Sequence, residues 1–153
     1  MNTTVDSPIK ESLKSAMKEA MKAKEKLKLE TVRMALAAIK QIEIDDRIDL
    51  SDIQVIQVLT KLIKQRTEAI AQYIQAGRTE LAEKEKQEIV ILTQFLPRQL
   101  SADEVKTYID AAFAEITPSG MKDMGKVMNV LKPQLEGKAD LAEVSKLVKA
   151  KLT

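Results

Sequence analysis

The chain has 153 residues, enough for one ordinary domain or two small ones and too few for a large barrel. Its 44% hydrophobic and 31% charged content, with four Gly and four Pro, is that of a folded helical protein, and 3% aromatics nearly excludes RNA recognition by rows of stacking rings. With no Cys and no His there is no disulfide, zinc-thiolate site, thiol nucleophile, Ser-His-Asp triad or imidazole ligand, and a formal charge of +2 does not by itself announce a nucleic-acid partner.

Ser7-Pro8 opens the first predicted helix, Pro suiting a first helical position whose N–H would be unpaired anyway. Ile9, Leu13, Ala16, Met17, Ala20 and Met21 then recur at helical spacing to about residue 24. The pattern restarts with Leu29, Val32, Leu36 and Ile39 and runs to about Glu43, followed by a charge-rich connection through Asp45, Asp46, Arg47 and Asp49. Ser51-Asp-Ile-Gln54 has the capping-box form and opens a long third helix, about 52–76, with Ile53, Ile56, Leu59, Ile63, Ile70, Tyr73 and Ile74 on one face. Gly77 closes it, Thr79 caps a fourth helix carrying Leu81, Ile89, Leu92 and Phe95, and Pro97 stops that helix.

Beyond Pro97, Ser101-Ala-Asp-Glu104 is a second capping box, followed by Val105, Tyr108, Ile109, Ala112, Phe113 and Ile116. Pro118-Ser119-Gly120 breaks this fifth helix. A sixth, with Met124, Val127, Met128 and Leu131 inward, ends by Pro133, and Asp140 opens a seventh with Leu141, Val144, Leu147, Val148 and Leu152. The expected architecture is all-α in two parts: a four-helix region over 1–97 and a three-helix bundle over 98–153. No apolar run approaches the ~18 residues of a membrane span and no signal-peptide core is present, so a cytosolic location and no membrane association are expected.

Few constellations suggest chemistry. Residues 120–126 fit the first seven positions of a phosphate-binding P-loop, but the hydroxyl required next is Val127 and a helix rather than a strand lies upstream. Gly120 then reads as a turn and Gly125 as a small residue permitting a close helix crossing. Glu43, Asp45, Asp46 and Asp49 cluster without EF-hand spacing, Lys84, Glu85, Lys86 and Glu88 read as exposed pairs, and the seven Met residues read mostly as core filler. No metal or cofactor is expected.

Charge is uneven. Residues 7–40 carry nine Lys/Arg against four Glu, and residues 120–153 carry seven Lys against four acids. Lys10, Lys14, Lys18 and Lys22 stand at i+4 steps, a stripe that is either a solvated face or a surface tracking phosphates.

Ala38-Ile-Lys-Gln-Ile-Glu43, Lys64-Gln65-Arg66, Ala76-Gly77-Arg78, Leu81-Ala-Glu-Lys-Glu85, Phe95-Leu-Pro97, Gln99-Leu100-Ser101 and Met121-Lys-Asp-Met-Gly-Lys-Val-Met128 together resemble the YqeY proteins of the GatB/YqeY family. The resemblance covers nearly the whole chain and implies an all-helical, two-part fold. The C-terminal third is also similar to the tail of the B subunit of the tRNA-dependent amidotransferase, matching it at Gly125-Lys126-Val127-Met128, at Gly137-Lys138-Ala139, with Asp140 where that tail has Asn, and at Val144 and Leu147. What this similarity implies is contact with tRNA. A label of carbon-nitrogen ligase with glutamine as amido-N-donor belongs to the larger enzyme, because nothing in these residues resembles its kinase, transamidase or glutaminase parts.

The expected function is therefore a non-catalytic, tRNA-binding accessory protein acting beside the amidotransferase or aminoacylation machinery. Lys126 and Lys138, then Lys122 and Lys132, are the expected phosphate contacts, bracketing the turn between the last two helices, and the stripe Lys10, Lys14, Lys18 and Lys22 is the secondary surface. The alternative is an interaction module docking a translation or aminoacylation partner without RNA contact.

Overall fold

A computed structural model, which describes residues 7–153, contains α1 (Pro8–Ala23), α2 (Lys26–Asp46), α3 (Asp52–Gln75), α4 (Thr79–Thr93), α5 (Ala102–Ile116), a 3-10 turn (Met121–Asp123), α6 (Met124–Leu135) and α7 (Leu141–Leu152). The fold is all-α; among the described residues the only extended pairing is an isolated bridge between Glu136 and Ala139. The chain divides between Leu96 and Pro97 into two compact units, one holding α1–α4 and the other α5–α7. No described helix is long and apolar enough to cross a membrane.

The first unit begins where Ser7 Oγ accepts from the Lys10 N–H and donates to Asp52 Oδ1 at the start of α3. The same carboxylate oxygen accepts the Ile9 N–H at 3.2 Å, so one aspartate fixes the first turn of α1 upon α3. Lys24, in the left-handed region at φ 59°, closes α1, and the chain re-enters a helix two residues later as an antiparallel hairpin. Leu13, Ala16, Val32, Ala35, Ile39, Val55, Leu59 and Leu92 form the aliphatic core. Ser51 and Gln54 make the expected capping box, and Gly77 at φ 74° ends α3.

Val105, Ile109 and Ala112 of α5, Val127, Leu131 and Leu135 of α6, and Val144 and Val148 of α7 form the second core. Ser101 and Glu104 build the second capping box, and Asp140 Oδ1 accepts the Ala142 N–H at 2.9 Å to start α7. Lys151 pairs with Asp110 and lies 4.9 Å from the centre of the Phe113 ring, pinning the end of α7 to α5.

Several local expectations are corrected. Helix α2 continues past Glu43 to Asp46, because Gln41 donates to Asp45 at 2.9 Å and a left-handed Arg47 at φ 55° caps the end, offsetting acids that are unfavourable at a helix C-terminus. Thr79 is the first residue of α4 rather than its cap: the turn after Gly77 is so tight that Arg78 N already bonds back to Tyr73 O at 2.7 Å. Helix α6 runs through Pro133 to Leu135. The lost bond is the one to the carbonyl of exposed Asn129, and burying Leu135 rewards the extra turn.

Ile53, Ile74 and Leu147 face outward, each at least half exposed. Ile53 lies two residues, about 200°, from buried Val55, Leu147 lies one residue, about 100°, from buried Val148, and Ile74 lies beyond Arg66, the last buried position of α3. Met21, Met34 and Met121 are exposed rather than core filler, whereas Met17, Met124 and Met128 pack partly buried; Met1 lies outside the described residues. A Cβ at Gly125 would meet nothing within 4 Å, so that glycine serves no close helix crossing.

Candidate functional site

The second unit places the four principal lysines on or beside α6. Pro118-Ser119-Gly120 delivers the chain into the 3-10 turn, where Asp123 Oδ2 accepts both the Ser119 N–H at 2.8 Å and its hydroxyl at 3.0 Å. These two bonds, the backbone one first, hold the Asp123 carboxyl below the usual aspartate range. Lys122 and Lys126 flank it; Lys126 Nζ lies 3.7 Å from Asp123 Oδ1 with its side chain 75% exposed. Lys132 is exposed in the last turn of α6, where a cation complements the helix dipole.

Lys138 is half-buried in the turn that follows. Its carbonyl accepts the Leu100 N–H at 2.8 Å, its own N–H donates to Leu135 O at 2.9 Å, and Gln99 Nε2 donates to the neighbouring Gly137 carbonyl at 2.7 Å. The turn is therefore held by backbone bonds that leave the ammonium out of the scaffold. The expectation that all four lysines bracket the turn between α6 and α7 is corrected: Lys132 and Lys138 do, but Lys122 and Lys126 lie at the opposite end of a 12-residue helix, about 18 Å long. The arrangement presents two pairs of cations, one at each end of α6.

In the first unit the lysine stripe is not uniform. Lys10 turns inward, its Nζ donating to both oxygens of Glu43 at 2.6 and 2.9 Å, and the same carboxylate accepts the Leu50 N–H at 3.0 Å. Burial pushes the Glu43 carboxyl up, but the Lys10 and Leu50 hydrogen bonds and the charges of Lys10 and Lys40 outweigh it and hold the group below the ordinary glutamate value. Glu43 is thus a clasp between α1 and α2, not a member of an acidic loop. Lys14 lies 3.5 Å from Glu11 at the surface, while Lys18 and Lys22 are exposed.

A second clasp corrects the reading of Glu85 and Glu88 as exposed. Buried Arg66 donates from Nε to Glu88 Oε2 at 3.0 Å and from Nη1 to Leu62 O at 3.1 Å, with Glu85 Oε2 3.8 Å away. Burial, then the charge and hydrogen bond of Glu88, push the Glu85 carboxyl up. The signal for both clasps was present in the periodicity, since Glu43 lies four residues after Ile39 and Arg66 seven after Leu59, on the buried faces of their helices. Among the described residues there is no group of three or more acidic residues placed to hold a metal ion.

Comparison with known proteins adds the following. The family model for Yqey-like protein matches residues 10–152. Altered inheritance of mitochondria protein 41, mitochondrial, of Candida glabrata is 32% identical over 154 residues, covering 97% of this chain and 80% of that protein. The proteins of the same name from Clavispora lusitaniae and Kluyveromyces lactis are 30% identical over 140 residues and 41% identical over 85 residues, which span 81% and 46% of their own lengths.

Proposed function

The chain belongs to the YqeY-like protein family, and from that premise we propose that it is a tRNA-binding accessory protein with no catalysis of its own, acting beside tRNA amidation. The observation that carries this reading is the presentation of exposed ammonium groups by Lys126 and Lys132 on α6 and by Lys122 in the 3-10 turn before it, with Lys138 in a hydrogen-bonded turn, all within the segment similar to the amidotransferase B-subunit tail. Two cation pairs separated along one helix suit a phosphate backbone, which is met by charge and shape, and the scarcity of aromatic residues leaves little means of reading bases by stacking. The carbon-nitrogen ligase chemistry of the larger enzyme is assigned to its other parts and not to this chain. The relatives above carry a mitochondrial designation in their names; we place this chain in the cytoplasm, and the recognition chemistry is the same in any aqueous compartment holding tRNA.

The test is a fluorescence titration of tRNA with the wild type, Lys122→Ala/Lys126→Ala and Lys132→Ala/Lys138→Ala at two or more salt concentrations. Each ammonium that meets a phosphate releases roughly one counterion, so each double variant is expected to lower the salt slope by about 2 and to weaken binding equally across tRNA species. Unchanged slopes in both variants remove these lysines from the interface. No binding at low salt discards the RNA reading in favour of protein docking.

A further inference from the structure

The hairpin of α1 and α2 carries a groove of about 510 Å³, lined in part by the lysine stripe, that the RNA contacts proposed around α6 do not use. Met17, Leu36 and Ala37 give it apolar surface, while Lys14 and Lys18 line it from α1 and Lys40 from α2. The Lys10–Glu43 pair also lines it, and there the two charges cancel. The Lys14–Glu11 contact is long and exposed, and such a pair contributes little in water. Lys18 and Lys40 form no ion pair among the described residues. The groove is therefore apolar in its middle and cationic from both helices.

We propose that this groove docks an amphipathic helix of a partner protein, one whose apolar stripe is flanked on both sides by Asp or Glu. The argument is charge complementarity joined to shape. A phosphate backbone would be drawn to the three ammonium groups but would leave Met17 and Leu36 unused, and an acyl chain would cover Met17 and Leu36 but leave most of the ammonium groups without a counter-charge. From Lys10 to Lys18 it runs about 12 Å along α1, which is two turns of a helix lying in it. Met17 suits such a contact because its unbranched thioether repacks around different apolar side chains. The lysines set encounter rate and salt dependence, and the apolar floor sets the lifetime of the complex. This inference is independent of the α6 lysines on which the RNA reading rests, and it gives Lys14 and Lys18 of the stripe a protein partner in place of phosphates.

The probe is a fluorescein-labelled synthetic helix of about 14 residues, with Leu at i, i+3, i+4 and i+7 and Glu on both flanks, titrated with the full chain. The comparisons are a scrambled isomer of the same composition, phosphatidylcholine vesicles containing phosphatidylglycerol, and tRNA. The helix is expected to bind at least about tenfold tighter than its scrambled isomer, and Lys14→Gln/Lys18→Gln/Lys40→Gln is expected to lose at least about tenfold of that affinity. Methyl resonances of Met17 and Leu36 should shift on binding, a readout that charge attraction alone leaves unmoved. Leu36→Ser, a change in the half-buried floor, should weaken the helix while leaving any tRNA affinity unchanged. The proposal is overturned by absence of binding, by equal binding of the scrambled peptide, by unmoved methyls, or by lysine-dependent binding confined to vesicles or tRNA.

Discussion

Arg66 and Glu88 meet where α3 packs on α4, guanidinium Nε 3.0 Å from carboxylate Oε2, with both residues less than a tenth exposed. The other two guanidinium nitrogens also donate, Nη1 to Leu62 O and Nη2 to Met34 Sδ at 3.2 Å. A buried ion pair adds little over a well-packed apolar pair, because desolvation offsets attraction, but removing one member strands the other in a low-dielectric site.

Arg66→Met is therefore expected to destabilise the first unit by about 3 kcal/mol, since it leaves Glu88 buried with Glu85 beside it. Arg66→Met/Glu88→Leu should recover at least half of that loss. Urea unfolding followed by Tyr73 fluorescence in a Tyr108→Phe background checks both. A double variant no more stable than the single would show that packing and not the stranded charge sets the cost.

The Glu43 clasp gives a second expectation, with a sign in pH. Its carboxyl is held below the ordinary glutamate value in the folded chain, so its contribution is fully present above that value and is lost as pH falls through the lower, folded value. Glu43→Gln should cost about 2 kcal/mol at neutral pH by removing charged hydrogen bonds to Lys10 and Leu50, and should flatten the acid limb of a stability profile. A variant with an acid limb as steep as the parent's would assign that limb to other carboxylates.

In the second unit, Arg98 donates to both oxygens of Glu104 at 3.1 and 2.6 Å, and with the Ser101 N–H brings the Glu104 carboxyl down to about 2. The pair therefore favours the folded unit above the ordinary glutamate range and ceases to do so as pH falls from about 4.5 toward about 2. Carboxyl-carbon NMR should find the Glu104 midpoint near 2 in the parent and well above it in Arg98→Ala. Coincident midpoints would mean that the exposed guanidinium is not held in place in solution.

Gly125 occupies the second position of α6, exposed and with open space where a side chain would go. Gly125→Ala should stabilise the second unit by about 0.5 kcal/mol, the gain in helix preference without a steric cost. Thermal unfolding checks it. A loss of stability would mean that helix preference does not set the cost of glycine at this first turn.

What was legible in the sequence follows the range of the interactions involved. Helix starts at Ser51 and Ser101 are written within four residues, because the hydroxyl and the N3 side chain act on adjacent backbone. The end of α2 turns on an i,i+4 bond from Gln41 to Asp45 and a left-handed Arg47 that residue types alone do not announce, and the passage of α6 through Pro133 on the burial of Leu135. The partners of Lys10 and Arg66 lie 33 and 22 residues away, so the charge pattern alone marked Lys10 as part of a stripe and Glu88 as a surface acid. At α6 the identity of the lysines was readable, but their separation into two ends of the helix depended on where the turns fall.

The segment after Pro97 has a mechanical consequence. Gln99 and Leu100 are hydrogen bonded to the carbonyls of Gly137 and Lys138 before α5 begins. Tension arriving along the chain through Pro97 is therefore delivered first to the α6–α7 turn, and α5 is shielded from it until those bonds part. Pulling on the connection loads the backbone of Lys138 directly, so a traction on the chain would be felt first at the turn that carries one of the proposed phosphate contacts.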